Sequence, residues 1–146
     1  MLDVKFYDTI DDALLKFAVV ISQSKGKWVF CKHKERDTYE VPGGHREEGE
    51  DILETAKREL QEETGAVRFD IKPVCVYSVT GKTRVNENGE ETFGLLCYAD
   101  ISEFFRNLDS EIEKVVLMDE LPTDWTYPLI QPKLIEEFER RKLQAR

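Results

Sequence analysis

The sequence has 146 residues, of which 40% are hydrophobic and 35% are charged, and its formal net charge is -9. This profile is typical of one soluble globular domain spanning residues 1–146, and it excludes disordered and fibrous classes. The negative charge argues against a long nucleic acid as partner, because such polymers are bound through many lysines and arginines.

Neither membrane insertion nor secretion is indicated by the chain. No apolar run approaches the roughly 20 residues that span a bilayer, and the N-terminus lacks the basic-then-apolar pattern of a signal peptide. The three cysteines, Cys31, Cys75 and Cys97, lie far apart in apolar stretches without metal-type spacing, so we expect them to be reduced and buried. We therefore expect a cytoplasmic protein without a membrane partner.

Apolar patterning predicts an alternation of strands and helices. Strands are predicted, in chain order, at Val4–Tyr7, Phe17–Ile21, Lys27–His33, Val67–Thr80, Phe93–Ile101 and Glu111–Met118. Helices are predicted from about Asp51 to Thr64, capped by Gly65, and from Pro128 to about Leu143. Hairpin turns are expected at Ser24-Lys25-Gly26 and Asn88-Gly89, a loop at Pro42-Gly43-Gly44, and an edge or bulge at Pro73. The class is mixed α/β, a sheet-based sandwich with helices outside.

The first predicted helix carries an unusual acidic cluster. At 100° per residue its apolar side chains form one arc, made of Ile52, Leu53, Ala56 and Leu60. Glu59, Glu62 and Glu63 fill an arc of about 100° beside it, and Glu63 falls inside the apolar arc. One interpretation is a solvated acidic face paired with Lys57 and Arg58. The other is a hard divalent cation, which would offset the repulsion and the burial of charge.

The segment that contains this helix resembles the Nudix box. The matching residues are Gly44, Glu50, Arg58-Glu59-Leu60, Glu62-Glu63 and Gly65, each at the spacing of that motif. Ala66 departs from the larger aliphatic residue that is usual there, and Val67 follows it directly. The preceding hairpin, Pro42-Gly43-Gly44, and Glu120-Leu121-Pro122 before a last helix are also similar to the family.

The resemblance implies an α/β/α sandwich with a mixed central sheet, a small second sheet or hairpin, and flanking helices. It also implies that Mg²⁺, or Mn²⁺, is coordinated by Glu59, Glu62 and Glu63. Arg58 would orient a glutamate, and Glu50 would support the loop and helix rather than contact metal. In the glycine pair, Gly43 would help to make a sharp loop, and Gly44 would let the backbone approach metal or phosphate.

The general base and the phosphate contacts are less narrowly indicated. In such enzymes the base is a glutamate of the box or of a later loop, and here Glu111 is preferred to Glu113 for the latter. His45 and Arg36 lie where they could contact an anionic substrate, although both also suit ordinary surface loops. Aromatic candidates for stacking on a base, each equally suited to core packing, are Phe6, Tyr39, Trp125 and Tyr127.

The leading functional hypothesis is metal-assisted hydrolysis of a nucleoside triphosphate to the monophosphate and pyrophosphate. The segment from Glu111 to Pro122 is similar to the 8-oxo-dGTP diphosphatases of Bacillus-type bacteria, which favours an oxidised nucleotide. ADP-ribose, dinucleoside polyphosphates and capped RNA 5′ ends remain alternatives, as does a non-catalytic nucleotide-binding regulator. The expected partner is a small nucleotide, and the chain is either a monomer or a homodimer.

Overall fold

A computed structural model describes residues 2–33, 35–82, 87–105 and 112–144 of the chain. Its eight strands are β1 Asp3–Tyr7, β2 Leu15–Ser24, β3 Lys27–His33, β4 Tyr39–Glu40, β5 Gly43–His45, β6 Ala66–Thr80, β7 Thr92–Phe104 and β8 Ile112–Met118. Its two α-helices are α1 Ile52–Thr64 and α2 Gln131–Gln144, and a single 3-10 turn covers Asp12–Leu14. Among the described residues, no helix is long and apolar enough to cross a membrane.

The eight described strands form one mixed sheet, in agreement with the mixed central sheet that the resemblance implies. Its main order is β1-β6-β7-β2-β3-β4, with β5 paired to β2 and β8 paired to β3. β2 and β7 run parallel, and the other described pairs are antiparallel. The smaller part of the sheet, formed by β3, β4 and β8, joins the centre through the predicted β2–β3 hairpin. Lys25 and Gly26 turn that hairpin with φ of 53° and 78°, as a tight primed turn requires.

The two helices cover opposite faces of the sheet. Alternate side chains of β2 enter different cores: Val20 packs in a cluster with Leu60 of α1, and Ile21 in a cluster with Leu134 of α2. A strand that is buried on both faces reads as a continuous apolar run, which is how this one appears in the sequence. The layers are therefore helix, sheet and helix, and the predicted fold class is confirmed.

The cysteine prediction is also confirmed. Cys31, Cys75 and Cys97 are all free and buried. Burial raises the pKa of each thiol, most directly by desolvation. The three side chains therefore behave as small apolar residues of the cores.

Helix α1 is capped at both ends, and it ends at Thr64 as Gly65 predicts. Asp51 precedes the first helical residue, and its backbone N–H donates to Glu54 Oε1 at 3.2 Å. At the other end Gly65 adopts the left-handed conformation with φ of 75°, and its N–H donates to the carbonyl of Gln61 at 2.9 Å. These two caps fix the rotation of α1 and therefore the direction in which its carboxylates point.

One local prediction is wrong. Pro42-Gly43-Gly44 was expected to be a sharp loop, but Gly43–His45 is strand β5, antiparallel to β2. Neither glycine has a positive φ. The glycines are needed for space instead, since a Cβ on Gly43 would lie 2.8 Å from the carbonyl oxygen of Ala18.

Other boundaries differ by a few residues. The last helix begins at Gln131 rather than Pro128, and the last strand at Ile112. Pro73 does mark a bulge, since the register of β6 against β7 shifts between Pro73 and Cys75. Strand β4 is only two residues long and was not predicted, because its pairing depends on β3 and not on a local pattern.

Candidate functional site

The arcs that helical periodicity predicts for α1 are confirmed for both its apolar and its acidic residues. Ile52, Ala56 and Leu60 are buried against the sheet. Glu59 and Glu63 lie beside them, and the Glu59 side chain is only 12% exposed. The side chain of Glu62 is 57% exposed, so this carboxylate is on the open side of the same group. The three carboxylates of the helix therefore extend from the edge of the core to the exposed surface.

Arg58 connects the acidic residues to one another. Its Nε and Nη2 donate to the two oxygens of Glu50 at 2.6 and 3.1 Å, a bidentate pair. Its Nη1 donates to Glu59 Oε1 at 2.7 Å and to Glu62 Oε2 at 3.4 Å. Its Nη2 also donates to the carbonyl of His45 at 3.0 Å. The hydrogen bond with Glu50 is the main reason that the pKa of Arg58 is raised.

Glu50 is held in the loop before α1. Besides the Arg58 pair, it accepts from the backbone N–H of Glu47 at 2.9 Å and from Thr55 Oγ1 at 2.8 Å. The Arg58 hydrogen bond is the largest of the effects that lower its pKa to about 2. Glu50 therefore stays ionised and ties the loop to the helix, the location expected for a supporting residue.

The glycine strand lies directly against these carboxylates. A Cβ on Gly44 would stand 2.5 and 2.7 Å from the two carboxylate oxygens of Glu59, closer than any real side chain allows. The backbone N–H of Gly43 donates to Glu63 Oε1 at 3.2 Å. The absence of a side chain on Gly44 is what lets α1 bring Glu59 this close to the backbone of β5.

Glu63 titrates abnormally because of this crowding. Burial, followed by a hydrogen bond with Glu59 and the charge of that group, raises the pKa of Glu63 to about 10. The N–H of Gly43 acts in the opposite direction, and Glu40 raises the pKa further. Burial and the neighbouring carboxylate of Glu59 therefore favour the protonated form of Glu63.

The donor set fits a hard divalent cation, although it is not assembled around one. The oxygens of Glu59, Glu62 and Glu63 are the ligand type that Mg²⁺ and Mn²⁺ prefer. Among the described residues, no three acidic, histidine or cysteine side chains already converge as a metal site. The reason is that Arg58 holds Glu59 and Glu62, while Glu63 faces Gly43. Binding would require these carboxylates to turn, for which the exposed Glu62 has the most freedom.

The other predicted contacts are divided between two places. His45 follows Gly44 on β5 and is exposed, and its ring lies edge-on to Phe17 at 6.3 Å between ring centroids, while its backbone carbonyl accepts from Arg58. Arg36 does not contact the α1 carboxylates: its Nη1 is 3.4 Å from Glu40 Oε1, and it interacts with Tyr127. Glu111 lies outside the described residues.

Glu40 is a site residue that the sequence reasoning missed. Its side chain is 12% exposed, and its charge raises the pKa values of both Glu63 and Cys31. It lies on β4, three residues before Gly43, between Tyr39 and Val41, which pack in the α2 core. A charge between two inward-facing residues, just before the glycines, is the signal that could have identified it.

Most of the aromatic candidates serve the core. Phe6, Tyr39 and Trp125 pack against the α2 cluster, and the Trp125 ring meets Phe30 edge-on with centroids 5.4 Å apart. Tyr127 is half-buried beside Arg36 and belongs to neither core cluster. Of the four, Tyr127 is therefore the one that is left for contact with a ligand.

Comparisons with known proteins identify the family of the chain. In sequence, the chain is 37% identical over 108 residues to YtkD of Bacillus subtilis (strain 168), provisionally named an 8-oxo-dGTP diphosphatase. That match covers 73% of this chain and spans 64% of the relative's length.

Solved structures share the whole fold. A mutant of the Bacillus subtilis pyrophosphohydrolase BsRppH superposes with a TM-score of 0.79 and 26% identity, covering 99% of this chain and 90% of that one. A C. elegans Ap4A hydrolase in a binary complex superposes with a TM-score of 0.65 and 18% identity, over 86% and 96% of the two chains. Residues 14–138 match the NUDIX domain. The chain therefore belongs to the NUDIX family.

Proposed function

We propose that this protein is a pyrophosphohydrolase that uses a divalent metal ion to cleave the phosphoanhydride of a nucleoside triphosphate. The products would be the nucleoside monophosphate and pyrophosphate, with oxidised purine nucleotides as the first substrates to test. The observation that carries the proposal is the group of Glu59, Glu62 and Glu63 on one face of α1, held by Arg58 against Gly43 and Gly44. Members of this family generally use divalent metals, and we propose Mg²⁺, with Mn²⁺ as the substitute.

Each residue has a distinct part in this proposal. Glu59, Glu62 and Glu63 would hold the metal, which when bound neutralises phosphate charge and makes its water more acidic. Arg58 positions Glu59 and Glu62 through Nη1, and the Gly43 N–H positions Glu63.

The reaction is a displacement at phosphorus. A water oxygen attacks one phosphorus, the bridging P–O bond breaks, and pyrophosphate leaves with the electron pair. The proton of the water passes to a carboxylate base, for which Glu59, Glu62 and Glu111 are our candidates. His45, exposed next to Gly44, is proposed to contact a substrate phosphate, and Arg36 to bind a more distant part of the substrate beside Tyr127.

The substrate beyond the phosphates is a separate question. YtkD is provisionally named an 8-oxo-dGTP diphosphatase, whereas one structural neighbour is an Ap4A hydrolase. We rank the oxidised nucleotide first because the YtkD match is at the level of sequence. The three cysteines of this chain are free and buried, which suits the reducing cytoplasm that we propose as its location.

The test is a substrate screen with matched variants. Nucleoside triphosphates, 8-oxo-dGTP, ADP-ribose and Ap4A are incubated with Mg²⁺ or Mn²⁺, and the nucleotide products and pyrophosphate are quantified by chromatography. Glu59→Gln and Glu62→Gln should lower kcat/KM by about 100-fold or more, in line with the loss of a group that acts in the transition state. Glu136→Gln on α2 makes the same chemical change at an exposed site and should leave turnover unchanged.

Two results would contradict the proposal. One is full metal-dependent turnover in both site variants, which would remove the carboxylates from the mechanism. The other is no hydrolysis of any of these compounds by the folded wild-type protein, which would favour a nucleotide-binding regulator instead.

A further inference from the structure

We propose that two copies of this chain pair through the outer edge of β6, between Ala66 and Lys72, to form an antiparallel dimer. β1 pairs with β6 only at Val76–Thr80, whereas β7 pairs with β6 from Ala66 to Val79. In the described part of the chain, the first half of β6 thus has a neighbouring strand on one side only. An unpaired edge of this kind is a template for another strand. The inference does not depend on the proposed hydrolase activity.

Pro73 shows which backbone groups face outward. Proline has no N–H, so it is tolerated in a strand where its nitrogen faces away from the neighbouring strand. Pairing of β6 with β7 is regular from Phe69 to Pro73. Because the direction of the backbone groups alternates along a strand, the N–H and C=O of Phe69 and Ile71 also face outward. These are the groups that a second strand would bond.

Charge favours one register for this pairing. With Phe69 on the two-fold axis, Arg68 of each copy faces Asp70 of the other, which gives two pairs of opposite charge. An axis through Asp70 would place Asp70 against Asp70 and Arg68 against Lys72. An axis through Arg68 would oppose the two arginines. An axis through Ile71 would also pair opposite charges, Asp70 with Lys72, but it would leave Arg68 facing Val74. The arrangement centred on Phe69 is the one that gives both Arg68 and Asp70 an oppositely charged partner.

The apolar side chains agree with the same register. Val67 faces Ile71 of the second copy, and the two Phe69 rings meet at the axis. Val67 is 47% exposed, which is unusual for a large aliphatic residue in a strand, while Phe69 and Ile71 are half-buried under α1. A groove of about 570 Å³ separates this edge from Lys57 and Gln61 of α1. The apolar side chains of the second strand would enter it.

The edge is built to stop at two copies. Its register against β7 is irregular between Ala66 and Phe69 and again after Pro73, so the straight part is short. Bulges and proline end strand pairing. A two-fold pairing uses the same surface of both molecules, so it closes on itself and leaves no β6 edge free for a third copy.

Charge reversal tests the register directly. In Arg68→Asp both facing residues are acidic, and in Asp70→Arg both are basic, so each variant alone should dimerise about tenfold more weakly or worse. A mixture of the two variants restores opposite charges at both positions and should form a heterodimer of about wild-type strength. Sedimentation velocity at physiological salt over a range of concentrations measures both effects. The Arg68 side chain is 79% exposed and Asp70 is also exposed, so the reversals leave the core intact.

The matched controls reverse another exposed pair. Lys27 and Asp119 are 3.8 Å apart, and Lys27→Asp and Asp119→Arg change the net charge by the same amounts. These controls should dimerise like the wild type. In parallel, amide hydrogen exchange at Phe69 and Ile71 should slow as the protein concentration rises, a readout that needs no variant.

Each contrary outcome overturns the proposal. A wild-type protein that stays monomeric at every concentration shows that the edge is not an interface. Dimerisation that survives both reversals, or a mixture that fails to restore it, shows that Arg68 and Asp70 do not face each other. Exchange rates at Phe69 and Ile71 that are independent of concentration lead to the same conclusion.

Discussion

Replacement of Gly44 by alanine tests how the site is built. The new Cβ would stand 2.5 and 2.7 Å from the carboxylate oxygens of Glu59, whereas ordinary contact begins near 3.4 Å. The carboxylate must therefore retreat by about 1 Å. A misplacement of about this size costs roughly 100-fold in turnover when it affects a reacting or metal-holding group. We expect kcat/KM to fall by about that factor and the affinity for Mg²⁺ to fall with it.

Gly44→Ala should lower the free energy of unfolding only modestly, because the atoms that it displaces are the flexible end of the Glu59 side chain. What the fold loses is the hydrogen bond between Arg58 Nη1 and Glu59, 2.7 Å long, a loss of about 1.5–3 kcal/mol at most. Gly43→Ala is the informative contrast. Its Cβ would meet the carbonyl oxygen of Ala18 and the backbone of Val19, which cannot move without separating β5 from β2. Gly43→Ala should therefore lower the free energy of unfolding more than Gly44→Ala.

Three measurements on each variant separate the two effects. Urea denaturation gives the free energy of unfolding, calorimetric titration gives the Mg²⁺ affinity, and product release gives kcat/KM. Gly49→Ala is the control, since a Cβ there meets nothing within 4 Å and only the positive φ of 84° opposes the change. It should cost some stability without altering metal affinity. If Gly44→Ala kept wild-type metal affinity, or destabilised the fold more than Gly43→Ala, the close packing of Gly44 on Glu59 would be refuted.

Three further predictions concern the pair formed by Arg58 and Glu50 and the core under α2. Arg58→Lys loses the bidentate pair with Glu50 and should lower Mg²⁺ affinity about 10–100-fold in calorimetry, with near-native affinity arguing against a positioning role. Because the folded-state pKa of Glu50 is lowered to about 2, its contribution to stability is present above its ordinary pKa near 4.5 and is lost as the pH falls towards 2. Glu50→Gln should therefore flatten the acid limb of unfolding free energy against pH, and an unchanged slope would contradict this. Leu134→Ala, at a fully buried position of α2, should cost about 2–5 kcal/mol in urea denaturation, whereas a cost below 1 kcal/mol would mean that α2 does not close the second core.

The features that the sequence predicted best depend on residues close to one another along the chain. Helix α1, its C-terminal cap at Gly65 and the rotation that places Glu63 at the core boundary all follow from residues within one or two turns of each other. The β2–β3 hairpin and the bulge at Pro73 are local in the same sense. For such features, periodicity and the conformations of glycine and proline are sufficient.

What the sequence did not predict depends on contacts between distant segments. Glu40 lies at the site because β4 pairs with β3, and the sequence of this two-residue strand does not predict that pairing. Gly43 and Gly44 were assigned to a loop because glycine commonly marks a turn. Their actual role, room for α1 and β2, is visible only when those elements are in place.

The helical periodicity of α1 predicted the direction of each carboxylate but not the groups that it contacts. Those contacts change how the acidic cluster is interpreted. Crowded carboxylates beside a core suggested that a cation is needed to hold them. In the structure, Arg58 pairs with Glu59 and Glu62, and burial raises the pKa of Glu63, which favours its protonated form. The repulsion is therefore relieved in part by the protein's own groups. The case for a metal site therefore rests on the all-oxygen donor set and on family membership, not on electrostatic necessity. Metal entry would then exchange one set of partners for another, and the position of Arg58 would set how readily Glu59 and Glu62 turn towards it.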